Sequence, residues 1–272
     1  MKKRFIILLD FSVLSGNLIQ YACDWAVQEN AEILVVHETS PMIPGFSDNE
    51  TREIIIKDTN AEALEKLKKL VNQFLPPGLI ANYLVSEIHL QLTLNKLAED
   101  DYEDLVFTGL KESGLFEKYF LKSKVLQLIE TTNSIIVAMP QEINKYSHEN
   151  IFVAVSEKTQ LNILAFNNFL KFIDEKNTKI TFFYLAKPNE DTKEFEKQLR
   201  NLTDLFADRF KTSFEIYEAN NLKKDIKKVI NNKIDEILVV QRGSRLLSDQ
   251  LFRRFLINDL VHQGETPLVI LP

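Results

Sequence analysis

A chain of 272 residues, 45% hydrophobic and 26% charged, has the make-up of a globular protein with one large domain or two of average size. Its net charge of -6 excludes a non-specific nucleic-acid binder, which needs a basic excess to displace phosphate counterions. With Cys23 as the sole cysteine, the chain has neither a disulfide framework nor a thiolate metal cluster.

The opening run MKKRFIILLDF has the basic head of a secretory signal. Asp10, however, interrupts the apolar segment after about five residues, short of the roughly 7–15 that such a segment needs. No run approaches a membrane span, so a cytoplasmic protein without membrane insertion is the expectation. Phe5–Leu9 reads instead as a buried strand stopped by an aspartate. Helical spacing follows at Leu14, Leu18, Ala22 and Trp25, and a second strand at Glu32–His37. The loop Glu38–Glu50 carries two prolines with Met42, Ile43 and Phe46, which suits an interaction surface or a lid. A further helical face runs through Ala61, Leu64, Leu67, Val71 and Phe74, and strands are predicted at Ile80–Val85, Leu105–Thr108 and Ile135–Ala138.

After the polar connector Gln141–Asn150 the order restarts. Strands are predicted at Ile151–Val155, Lys179–Tyr184, Phe214–Tyr217, Ile237–Val240 and Leu268–Leu271. The helices between them include Phe195, Leu199, Leu202, Leu205 or Phe206, and Phe210, and a lysine-paired surface helix at Asn220–Lys233. Nearly continuous apolar strands alternating with amphipathic helices mean parallel sheets covered on both faces. Pro140 and Pro272 close the two halves at an offset of 132, and the same offset lays Glu103–Gly109 over Asp235–Gln241 without a gap. Asp10 falls on Ser156 at an offset of 146, and His37 on Tyr184 at 147, so the chain is one unit written twice. The domains are expected at residues 1–142 and 148–272.

In an open parallel sheet a ligand sits beyond the carboxyl ends of the strands, where strand order reverses. Asp10 lies there, able to accept from an adenine amine, a ribose hydroxyl or a loop amide. It, or Ser12, could equally cap the helix beginning near Leu14.

The stretches LLDFS, ILVVHE, LVFTGLKESGLFEKYFLKS, NSIIVAMP and TPLVILP resemble the universal stress protein family across both halves. The resemblance implies two tandem five-stranded parallel α/β domains, Rossmann-like and of the adenine nucleotide alpha hydrolase type, related by a pseudo-two-fold, with last strands that often meet. Many members bind ATP through an aspartate after the first strand. After the fourth they carry a glycine, two residues, a second glycine, nine residues, a third glycine and Ser or Thr. Glycines let backbone amides approach phosphate, and the final pair opens a helix whose amino end favours anions.

Carried over, Asp10, Gly109 and Ser123 match, whereas Glu112 and Lys122 stand at the second and third glycines; Gly114 is near but out of phase. Glu112 repels a triphosphate; Lys122 intrudes on the backbone approach while its ammonium could attract phosphate, with Lys118 and Lys124 nearby. In the second half Ser156, Gln241, Ser244, Arg254 and Phe255 replace the corresponding residues, leaving QRGSR as a loop or a small anion nest around Gly243.

No spacing supplies a nucleophile, an acid–base pair or a metal cluster, and His37, His89, His148 and His262 are scattered. The expectation is a non-enzymatic cytoplasmic stress-response protein acting through an unknown protein partner, with a degenerate site at Asp10, Gly109, Gly114, Lys122 and Ser123 for ATP or another adenine nucleotide. A nucleotide switch responding to ATP, AMP or a cyclic dinucleotide, or a weak ATPase, is the alternative, and a transporter regulator a third. A homodimer is the commonest further assembly.

Overall fold

The computed structural model describes residues 1–12, 15–109, 124–139, 143, 146–156, 160–186, 189–218, 237–243 and 266–272. Among these the chain forms two compact units, one of Met1–Gly109 with 124–134 and one within Ile135–Pro272.

In the first unit the order is β1 (Lys2–Leu8), α1 (Ser15–Glu29), β2 (Glu32–Glu38), α2 (Asn49–Val71), β3 (Ala81–Ser86), α3 (Leu90–Leu97), β4 (Tyr102–Gly109) and α4 (Lys124–Thr131). Its strands lie in the order β3-β2-β1-β4, all parallel. The chain therefore steps from β1 to β2 and β3 on one side, then crosses back to β4 on the other. Phe5, Ile6 and Ile7 are buried because both sheet faces are covered, and α1 supplies Leu18, Ile19, Ala22 and Trp25 to one of them. The Trp25 ring meets Phe5 at 5.6 Å and Phe107 at 5.5 Å, both edge-on, the geometry that the aromatic quadrupole favours. Below this core, at the amino ends of the strands, the buried Arg4 guanidinium donates to both carboxylate oxygens of Asp104 at 2.8 and 2.9 Å, to Asp100 at 2.6 Å and to the Leu97 carbonyl at 2.9 Å. Burial alone would lower its pKa, but the bonds to Asp104 and Asp100 outweigh that and raise it.

The second unit holds β5 (Ile135–Met139), β6 (Asn150–Ala154), α5 (Ile163–Leu170), β7 (Lys179–Ala186), α6 (Lys193–Phe206), β8 (Lys211–Glu218), β9 (Ile237–Gln241) and β10 (Leu268–Leu271). Its strand order is β5-β10-β9-β6-β7-β8. From β8 through β9 this repeats the order of the first unit, and β5 joins β10 antiparallel, with Leu268 opposite Ala138 and Ile270 opposite Ile136. The two closing apolar runs do meet, as the resemblance implies. Phe166, Phe182 and Phe206 make an aromatic triangle in this core, with centroids 5.2 to 6.0 Å apart. Of the two alternatives on α6, Phe206 is the buried one and Leu205 faces outward.

The duplication is visible in strand ends. β4 ends at Gly109 and β9 at Gln241, β5 at Met139 and β10 at Leu271, both pairs 132 residues apart; β1 and β6 end at Leu8 and Ala154, 146 apart. Leu14, Pro140 and the helix expected at Asn220–Lys233 lie outside the described residues.

Candidate functional site

Register brings two of the expected residues of the first unit, Asp10 and Gly109, to one edge. Leu8 pairs with Thr108, so Asp10 and Gly109 both follow at the carboxyl ends of β1 and β4, where strand order reverses. Gly114, Lys122 and Ser123, with Glu112 and Lys118, lie outside the described residues; Lys124 opens α4.

Asp10 is exposed, and its Oδ1 accepts from the Ser12 backbone N–H at 3.0 Å, a tight turn closed by the side chain. The Ser12 carbonyl accepts from the Ser15 N–H at 3.1 Å. Between them Phe11 takes a left-handed conformation, φ 58, where a bulky side chain is strained. Phe11 is 38% exposed, and its ring lies 4.5 Å from that of His37. The His37 Nδ1 is 2.7 Å from the Leu9 carbonyl. A carbonyl only accepts, so Nδ1 carries the proton. The bond from the Ser12 N–H is the loop-amide alternative that Asp10 offered in the sequence, a local turn of the kind aspartate favours; no spacing pattern links His37 to Leu9, whose bond comes from the adjacency of β1 and β2.

On the other flank of β2 a polar chain fastens the crossover helix. Thr39 donates to Asn60 at 2.6 Å, and Asn60 donates to Glu87 at 3.0 Å. The buried Glu38 carboxylate accepts from the Leu90 N–H at 2.9 Å, at the start of α3, and lies 3.4 Å from His89. Asn60 thus sits level with the carboxyl ends of β2 and β3. About three turns of α2 precede it. Met42 and Phe46, in the loop between β2 and α2, are fully exposed, so neither side chain is folded down as a lid.

The second unit treats the same place differently. Ser156, at the Asp10 position, is buried, and its hydroxyl has no hydrogen-bond partner among the described residues. Gln241, at the Gly109 position, is buried too. Its amide nitrogen donates to the Pro272 carbonyl and its oxygen accepts from the Asn162 N–H at 3.0 Å. Where a glycine would leave room for phosphate, a carboxamide ties β9 to the start of α5 and to the end of β10. Gly243 has φ 78, as an anion nest allows, but Ser244 and Arg245 lie outside the described residues. Tyr184, opposite His37 in the repeat, stacks on Phe195 at 4.1 Å.

Among the described residues no group of His, Cys, Asp and Glu could hold a metal ion, and no helix is long and apolar enough to cross a membrane.

A doubly wound parallel α/β unit with its crevice at the strand-order reversal defines a Rossmann-like fold, here in two copies. Solved structures narrow this. A universal stress protein from Archaeoglobus fulgidus DSM 4304 superposes with a TM-score of 0.65 at 12% identity, covering 98% of this chain and 95% of its own. A functionally unknown protein from Pseudomonas aeruginosa PAO1 matches at 0.59 and 10%, covering 99% and 92%. A Pseudomonas aeruginosa UCBPP-PA14 protein, provisionally given the universal stress protein name, matches at 0.57 and 11%, covering 100% and 93%. No protein-family model matches the sequence, and no curated protein matches it. The chain has the tandem fold of the universal stress proteins, as its sequence resemblance implies.

Proposed function

We propose that the chain is a regulatory binding protein without catalytic activity, which takes an adenine nucleotide weakly in the crevice of the first unit and acts through a protein partner. The observation that supports this most is the asymmetry of the two crevices. In the first, Asp10 is exposed beside Gly109 at the strand-order reversal; in the second, Gln241 occupies the equivalent of the glycine and is bonded at both ends of its amide. An exposed carboxylate suits a ribose hydroxyl, and a glycine beside it leaves space for the groups beyond. The exposed Met42 and Phe46 suit contact with a partner. A stress-response role rests on the fold resemblance alone.

The test is calorimetric titration of the whole protein with ATP, AMP and cyclic dinucleotides. Binding of one equivalent that Asp10→Ala weakens at least tenfold supports the reading. Two equivalents, or binding indifferent to Asp10→Ala, overturns it. Phosphate release from bound ATP above the uncatalysed rate, lost in Asp10→Ala, moves the protein to the weak-ATPase alternative.

A further inference from the structure

We infer that His37 is the residue of the first crevice that reads the edge of the bound base, and that its protonation state sets which purine the site prefers. This rests on the nucleotide reading above and deepens it. Strand order lays the crevice out in sequence: β2 on one flank of β1, β4 on the other. With the phosphates toward Gly109 on the β4 side and the ribose over Asp10 at the centre, the base falls on the β2 side, against Phe11 and His37. Their rings, 4.5 Å apart and tilted by 57°, form an aromatic corner for a planar base. Phe11 holds its place there at the cost of a left-handed backbone. Strain of that kind in a bulky residue is a mark of functional positions.

The Leu9 carbonyl decides the chemistry. By holding the proton on Nδ1 at 2.7 Å, it leaves Nε2 of the neutral ring as an acceptor only. Among the described residues nothing bonds to Nε2. A neutral His37 therefore accepts from a base with an amino group at its 6-position and disfavours one with an oxygen there. Protonation adds a proton at Nε2 and reverses this preference. Nδ1 keeps its bond in both states, so the ring need not move. Among the described residues, the titratable groups at this edge are Asp10 after β1, Glu38 next to His37 on β2, and His89 beyond β3, which lies 3.4 Å from Glu38; Val85, opposite His37 on β3, is apolar.

Adenosine and inosine differ in this way at the 6-position and serve as probes. Their affinities for the whole protein are measured at pH 8 and pH 5, the span over which histidine changes charge. The expected result is adenosine favoured about tenfold at pH 8, with the adenosine-to-inosine ratio falling at least tenfold at pH 5. His37→Phe keeps a ring but should show one ratio at both pH values. Phe11→Gly should weaken both nucleosides while preserving the swing. Asp10→Ala tests the underlying site. If both nucleosides bind in a manner sensitive to Asp10→Ala but with a pH-independent ratio, or the swing survives in His37→Phe, the inference falls and the site stands. If neither nucleoside nor any nucleotide binds, both fall.

Discussion

At the scale of single residues, the first unit carries constraint where its chain turns. Phe11 adopts φ 58, and Gly16, in the first turn of α1, has no room for a side chain: a Cβ there would stand 2.7 Å from Cζ of Phe74. Removing the hydrogen for a methyl normally helps a helix by about 0.5–1 kcal/mol; here the ring must give way first. We expect Gly16→Ala to destabilise the native chain by about 1 kcal/mol and to stabilise the Phe74→Ala background, a change of sign read from urea midpoints in a double-mutant cycle. Equal effects in both backgrounds would mean that the ring moves aside freely. Residues of this kind were only half legible in the sequence. Phe74 was placed on a buried helical face from its spacing, but α2 ends at Val71 and Phe74 lies half-buried in the turn after it, against the start of α1. Asp10 was legible as a polar stop on an apolar run. Its actual bond, to the Ser12 N–H, belongs to a turn that leaves its carboxylate exposed.

At the scale of elements, the ten strands among the described residues were all legible: the central ones as nearly continuous apolar runs covered on both faces, the edge strands β3 and β8, which bury none of their residues fully, from shorter mixed runs. Some of their ends were, β10 at both Leu268 and Leu271, and others were not. β1 starts at Lys2 and β4 at Tyr102, among charged residues that apolar patterning assigns to loops. Those charges belong in the strands because Arg4 is neutralised by Asp104 on the adjacent β4, which pattern along one segment cannot show. The start of α2 was likewise hidden within the predicted 38–50 loop. Asp48 marks it, accepting from the Thr51 N–H at 2.8 Å, and that backbone bond holds its carboxyl below the usual Asp range. A depressed folded pKa contributes stability that is complete above the unfolded value and lost as pH falls through the folded one. Asp48→Ala should therefore lower the urea midpoint at pH 7, and the gap to the native chain should narrow as acid protonates the Asp48 carboxylate, below the usual Asp range. A gap that stays constant as the pH falls would show that the cap acts through something other than its charge.

At the scale of the whole molecule, the duplication was legible as register and the divergence of the copies only in part. Ser156 and Gln241 were visible as departures from Asp10 and Gly109. What Gln241 does in their absence was not, since its partners, Asn162 and Pro272, are 79 and 31 residues away. Two copies with one ancestral plan have become one unit with an accessible crevice edge and one whose equivalent edge is used up in holding strands and helix together.

The protein has a single tryptophan, and it lies in the centre of the first unit, between Phe5 and Phe107 and wholly out of water. Its emission is therefore a private signal of one copy, while far-ultraviolet circular dichroism records the helices and strands of both. Followed together through a urea titration, the two signals should coincide if the duplicated halves melt as one cooperative body, and separate if each halts and yields alone. The same emission gives every variant of the first crevice its own internal check of folding, with no dye or label to attach.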